Sequence, residues 1–196
     1  MDDLIAGLKK KEETALKKVM SLYKNKIYNY LRMLVSSDEI AEELTQDTFV
    51  KVYFKAHTLR TNNLKAWIYT IATNLARSQF RKNKIKYLFS LADVNEGYLS
   101  VNPGSEDNLL LEQLIAKLPE KYRVPLVMKE IDNFSFEEIS GMLDKPVGTV
   151  KTLVFRGKNR LRAHLNGSAN PLKNEFKGGN SQNATGRGLI KASFNR

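Results

Sequence analysis

Residues 134–165, FSFEEISGMLDKPVGTVKTLVFRGKNRLRAHL, constrain this chain more than any other stretch. Ser135 and Glu138 have the spacing of a capping box, in which a hydroxyl and a carboxylate each satisfy an orphan amide of the first helical turn. Phe134 and Ile139 flank the box at the spacing of a hydrophobic staple. A short helix over 136–142 then turns Ile139, Met142 and Leu143 inward. Asp144-Lys145 makes the turn, and Pro146 fixes the start of a second helix over 147–165. On that helix Val147, Val150, Val154 and Leu161 form one stripe, while Lys151, Thr152, Phe155, Arg156 and Asn159 occupy much of the other side. A short helix, a tight turn and a longer helix with a basic outer face is the arrangement that enters a DNA major groove. Lys and Arg reach guanine edges or phosphates, Thr serves either, and an exposed Phe touches a thymine methyl. An ordinary helical hairpin with solvated lysines needs no acid-free outer face.

Charge is sorted along the chain. Residues 38–47 hold five acids (Asp38, Glu39, Glu42, Glu43, Asp47) and no base. Residues 48–92 hold nine bases and no acid, and residues 145–196 hold eleven bases against one acid, Glu175. The net charge of +11 is therefore carried in two separate blocks, as expected of two contacts with phosphate backbone and of an acidic surface meant for something basic.

Several classes are excluded or disfavoured. The chain has no cysteine, so it has neither disulfides nor thiolate metal sites. His57 and His164 are far apart without a carboxylate cluster, so no metal and no cofactor is expected. No phosphate-binding glycine loop and no nucleophile–base pair is present, and Glu42 and Glu43 are adjacent, so they point to different sides of a helix. A non-enzymatic protein without a small-molecule substrate is expected. No apolar run approaches the ~18 residues of a membrane span, and the first ten residues lack a signal-peptide core, so a cytoplasmic location is expected.

The fold class expected is all-α, with two small helical domains joined by a flexible linker. Residues 4–34 carry apolar positions at helical spacing (Leu4, Leu8, Leu16, Val19, Met20, Tyr23, Ile27, Tyr30, Leu31). Ser36-Ser37-Asp38-Glu39 resembles a capping box opening the next helix, which runs to about Ala56. Residues 57–63 form a loop, and a further helix over about 64–84 keeps Trp67, Ile68, Ile71, Ala72 and Leu75 on one side, with Trp67 read as core. Residues 89–107 read as a flexible linker. Helical segments follow at about 108–117 and 120–132, with Pro125 expected to cap or kink the second. The domains are thus 1–88 and 108–166, followed by an Asn/Gly-rich basic tail, 167–196, read as disordered or ordered by a partner.

Two sets of motifs resemble the extracytoplasmic-function (group IV) sigma factors of the bacterial sigma-70 family. Leu118-Pro119-Glu120, Tyr122-Arg123, Phe136-Glu137-Glu138-Ile139 and Pro146-Val147-Gly148-Thr149-Val150-Lys151 are similar to the family's region 4. Ala41-Glu42-Glu43-Leu44-Thr45-Gln46-Asp47-Thr48-Phe49 resembles region 2.2, and 66–76 with Arg81-Lys82 resembles regions 2.3 and 2.4. The order and the linker match over about 160 residues.

The resemblance implies a transcription initiation factor with assigned surfaces. Glu42, Glu43, Gln46, Asp47 and Phe49 would dock on the clamp coiled coil of the beta-prime subunit of core RNA polymerase, with Phe49 as apolar anchor. Leu59, Arg60, Asn62 and Asn63, with Asn74, would capture a base flipped from the minus-10 promoter DNA. Arg77, Arg81, Lys82 and Lys84 would hold the phosphates of the melted strand. Lys151, Thr152, Phe155 and Arg156 would read the minus-35 element, with backbone contacts from Lys158, Arg160 and Arg162. The second domain would also meet the beta flap. An anti-sigma factor wedged between the domains is a further implied partner, whereas an additional partner on the C-terminal tail is expected because that basic tail is longer than a minimal member needs. The chain departs from the family pattern at Leu153, Gly157 and Thr61-Asn62-Asn63. The competing readings are a free-standing helix-turn-helix regulator, and a sigma factor recruited to DNA mainly through the tail's partner.

Overall fold

The computed structural model describes residues 2–60, 62–89 and 106–165, without the side chains of 84–89, 106–110 and 165. The linker core 90–105, the tail 167–196 and the Lys84 side chain lie outside the described residues. The chain divides between Asn102 and Pro103 into two compact units, and among the described residues every regular element is helical.

The first unit begins with α1 (Asp2–Lys9) and α2 (Glu13–Val35). The continuous periodicity of 4–34 hides a break between them, because Lys11 adopts a left-handed φ of 59°. The break folds α1 back closely. A Cβ on Gly7 would stand 2.8 Å from Ala15 Cβ, nearer than carbon atoms approach, so only glycine fits this crossing.

At the other end of α2, Ser36 is the left-handed C-cap (φ 56°), its N–H donating to Arg32 O. Ser37 is the N-cap of α3 (Asp38–Lys55), accepting from Ile40 N–H at 3.3 Å. The capping box expected at 36–39 is thereby corrected: the cap sits one residue later, where Ile40 occupies the third helical position and cannot return the bond. Asp38 instead accepts from Arg32 Nε (2.8 Å) and the Tyr28 hydroxyl (3.1 Å), which ties α3 to α2.

A 3-10 turn (Ala56–Thr58) leads to α4 (Leu64–Phe89). Asn63 caps α4, its Oδ1 accepting from Ala66 N–H at 3.0 Å. The core takes Val19, Ile27, Tyr30 and Leu31 from α2, Ala41, Leu44 and Val52 from α3, and Leu64, Ile68 and Ala72 from α4. Trp67 is corrected by the same geometry. It and Ile71 are only half-buried, and the buried side of α4 is turned toward Tyr69, Thr73 and Ala76. The Thr73 hydroxyl donates to Tyr69 O (2.6 Å), so the Tyr30 hydroxyl donates to Thr73 Oγ1 (2.7 Å). This polar pair sits in the core beside the Tyr30 and Tyr69 rings, whose centroids are 4.9 Å apart. Its bonds are satisfied, as burial requires.

The second unit contains α5 (Glu106–Ala116), α6 (Glu120–Glu130), α7 (Phe136–Leu143) and α8 (Val147–Leu165). Helix α5 starts inside the expected linker, and α6 runs through Pro125 instead of ending there. Arg123 joins α5 to α6: its guanidinium donates to Ala116 O and Leu118 O, the orphan carbonyls at the end of α5. Burial pulls this guanidinium down to about 10, still protonated at neutral pH. The Ser135–Glu138 box has both its bonds, Ser135 N–H to Glu138 Oε2 at 2.8 Å and Glu138 N–H to Ser135 Oγ at 3.0 Å. Phe134 and Ile139 are buried beside it. Asp144 (φ 50°) ends α7, and α7 and α8 both pack on α6.

Gly157 lies on the buried stripe of α8 with Val150, Val154 and Leu161. A Cβ there would stand 3.4 Å from Tyr122 O and 3.6 Å from Leu126 Cβ. The glycine therefore belongs to the α6–α8 contact and not to the outer face.

Candidate functional surfaces

Helix α3 turns Ala41, Leu44, Thr45, Thr48, Phe49 and Val52 into the core. The remainder of its surface carries Glu39, Glu42, Glu43, Gln46, Asp47 and Val50 and, in its last turns, Lys51, Phe54 and Lys55. Among the described residues no cation pairs with Glu42, Glu43 or Asp47, so their charges face solvent. Phe49 does not share this surface, being only 3% exposed. The apolar groups that do are Val50 and Phe54, 53% and 59% exposed. Val50 follows Asp47 by three residues and Phe54 follows Val50 by four, continuing the line of Glu43 and Asp47 along the helix. Helical arithmetic from the buried Ala41, Thr45 and Val52 would have picked them out.

Helix α4 presents Asn74, exposed, with Arg77 one turn on and the exposed Arg81 a turn further. Half-buried Trp67 and Thr70 precede Asn74 at spacings of seven and four, on the same side. Lys82 is exposed beside Arg81. In the preceding loop Arg60, Asn62 and Asn63 are exposed, whereas Leu59 is buried at 2%. Leu59 therefore anchors the loop, and the Asn63 side chain is already engaged in capping α4.

Helix α8 offers Lys151, Thr152, Phe155 and Arg156 to solvent, Phe155 being 62% exposed. The Thr152 hydroxyl donates to Gly148 O (2.9 Å), which leaves its lone pairs outward. Lys158 is different: its Nζ lies 2.8 Å from Glu130 Oε1 across the α6–α8 seam, so its charge is met within the unit. His57 and His164 are exposed.

Aromatic rings carry cations on the two flanks of α8. Lys129 Nζ and Lys151 Nζ lie 4.7 Å and 5.7 Å from the Phe136 ring centre. Lys121 Nζ and Arg160 Cζ each lie 4.9 Å from that of Tyr122. Burial alone would raise the Tyr122 phenol, but Lys121 and Arg156 reaching toward its oxygen and the charge of Arg160 outweigh it and hold the phenol below its ordinary value. Nothing in the sequence singles out Lys121 and Lys129, since neither lies on the recognition helix and only packing brings them beside it.

Family models match twice and in chain order: "Sigma-70 region 2" over residues 19–85 and "Sigma-70, region 4" over residues 108–161. The ECF RNA polymerase sigma factor SigW of Bacillus subtilis (strain 168) is 34% identical over 177 residues, 82% of this chain and 94% of that protein. The ECF RNA polymerase sigma-E factor of Escherichia coli (strain K12) is 27% identical over 173 residues, 81% and 90% of the two chains. Among solved structures, the sigma factor RpoE in complex with the anti-sigma factor NepR from Bartonella quintana superposes with a TM-score of 0.68 at 27% identity, covering 76% of this chain and 96% of that one.

Proposed function

The chain belongs to the ECF RNA polymerase sigma factors of the sigma-70 family, and from that membership we propose how its two units share the work. The protein binds core RNA polymerase and directs promoter recognition, DNA opening and transcription initiation. The unit built on 1–88 grips the polymerase through α3. Glu42, Glu43 and Asp47 meet a basic partner, the clamp coiled coil of beta-prime, while Val50 and Phe54 supply the desolvated contact that Phe49, held in the core, does not. The loop 59–64 and Asn74 receive the flipped minus-10 base, and Arg77, Arg81 and Lys82 hold the melted strand. The unit built on 108–166 reads the minus-35 element through Lys151, Thr152, Phe155 and Arg156, and also meets the beta flap. The polymerase supplies the chemistry. The chain itself is non-enzymatic, needs no cofactor, and works in the cytoplasm beside the polymerase and its template.

One observation carries this division: among the described residues the solvent-facing acids of α3 have no cation partner, whereas the outer face of α8 holds cations and no acid. An anti-sigma factor is the class of regulator that fits, since the RpoE neighbour was solved bound to one. The tail 167–196 is proposed to engage a further partner. Run-off transcription with purified core polymerase tests the reading. Wild type should give discrete starts on genomic fragments, and Asp47→Lys and Asn74→Ala should each weaken them. Failure of the wild-type chain to direct any start would overturn it.

A further inference from the structure

Helix α1 belongs neither to the acidic face of α3 nor to the exposed faces of α4 and α8, yet the chain accepts an unfavourable backbone to place it. Lys11 takes its left-handed φ of 59°, a conformation that side chains disfavour. Glu12 N–H then donates to Gly7 O (2.9 Å) and Lys11 N–H to Leu8 O (3.0 Å), which turns α1 back on itself. Gly7 lets Ala15 approach as no side chain would. A helix of eight residues does not hold itself together in water, so α1 has to be docked. It docks on α2 and on the 3-10 turn 56–58, with Ile5 and Leu8 buried. The two are one helical turn apart, on one side of α1.

That 3-10 turn is the foot of the loop assigned to the flipped base. Ala56 and Leu59 are buried, Leu59 N–H donates to Ala56 O (3.1 Å), and the Thr58 hydroxyl donates to Lys55 O (2.8 Å). At the far end Asn63 caps α4. Between these ends Arg60 and Asn62 are exposed, and among the described residues no side-chain bond holds either. The tip is therefore placed by its two ends, one fixed to α4 and the other to the turn on which α1 sits. A pocket for one base tolerates little displacement, since an error of about 1 Å in a positioned group removes most of its effect.

We infer that α1 is a positioning element for minus-10 recognition: Ile5 and Leu8 brace the 3-10 turn and so hold the loop 59–64 where it and Asn74 close on the flipped base. Both residues are buried and act only through the turn. Bracing is reciprocal, so a captured base must in return favour the docked state of α1. This rests on the sigma-factor reading and adds to it residues from the first helix of the chain.

The test uses the full chain assembled with core polymerase on a premelted fork, with the minus-10 strand either intact or abasic at each position in turn. The position where base removal weakens wild type most is the captured one, and the intact strand should bind about tenfold more tightly there. Leu8→Ala and Ile5→Ala should each shrink that ratio to about threefold or less. Affinity for the abasic strand and assembly with core should stay as in wild type, because Arg77, Arg81 and Lys82 keep their phosphates. Leu8→Met, of similar volume, should retain the wild-type ratio. A ratio unchanged by both alanines would overturn the inference. An equal loss on both strands would overturn it too, since impaired folding lowers the two affinities together. Wild type supplies a measurement that needs no variant: the amides of α1 should exchange about threefold more slowly with the intact strand bound than with the abasic one. Equal protection would contradict the bracing. A wild-type chain that binds intact and abasic strands alike would instead refute the flipped-base reading beneath it.

Discussion

Helices α3 and α8 make an informative pair. They are 18 and 19 residues long, each buries one stripe against its own unit, and each exposes a phenylalanine, Phe54 at 59% and Phe155 at 62%. Their outer faces nevertheless carry opposite charge: Glu42, Glu43 and Asp47 on one, Lys151 and Arg156 on the other. Burial decides that both are amphipathic helices of their bundles. The charge around the exposed aromatic is what the proposed roles rest on, a basic protein surface for α3 and phosphate for α8.

The largest expected effect breaks that symmetry on one side only. Arg156→Glu should weaken promoter binding between about tenfold and a hundredfold, measured with assembled holoenzyme on duplex DNA, and leave assembly with core unchanged. A matching drop in core assembly would mean that the two faces do not have separate tasks.

The next contrast concerns what keeps each unit in shape. Arg123→Gln leaves Ala116 O and Leu118 O without their donor and should cost about 1–3 kcal/mol, seen as a lower denaturant midpoint for the second unit. The first unit should be untouched by that change. It has its own weak point in Gly7, where an alanine Cβ meets Ala15. Gly7→Ala should destabilise by about 1–3 kcal/mol through overpacking. Gly157→Ala should do the reverse, because its Cβ finds ordinary contact distances to Tyr122 and Leu126 and alanine gains about 1 kcal/mol in helix propensity. Equal destabilisation by both alanines, in thermal melts of the full chain, would refute this contrast between the crossings.

How much of this is legible in the sequence follows from the same pair of helices. The Ser135–Glu138 box and Pro146 disclose α7, α8 and the turn between them, because capping is local chemistry written in adjacent residues. Charge sorting likewise marks 38–47 and the α8 face as the proposed binding surfaces. The apolar anchor of α3 is a different matter, since the sequence points to Phe49 and the fold buries it. Apolar residues stand on both sides of that helix, and one step along the chain turns a side chain by about 100°, so hydrophobicity alone cannot choose between Phe49 and Val50. Trp67 reads as core for a similar reason. The break at Lys11 leaves no trace, since a lysine holds the left-handed position that a glycine would have advertised. Gly157 looks like a defect in a recognition helix until packing places it against α6, and the Tyr122 cluster needs that same packing to come into view.

The smallest effect is a titration. With the Tyr122 phenol held below its ordinary value near 10, its linked contribution to stability is present above that value and lost as pH falls through the folded one, so it vanishes at neutral pH. Phenolate absorbance should show one tyrosine ionising early in wild type and absent in Tyr122→Phe, and Arg160→Gln should move it upward. No early tyrosine in wild type would mean that the cations do not gather on the ring.

The most direct test of the contrast between α3 and α8 is the affinity of the full chain for core polymerase without DNA. Asp47→Lys should bind at least about tenfold more weakly than wild type, while Arg156→Gln should bind as wild type does. Equal binding by wild type and Asp47→Lys, or no association by wild type even at low ionic strength, would contradict the assignment of the acidic face to the polymerase.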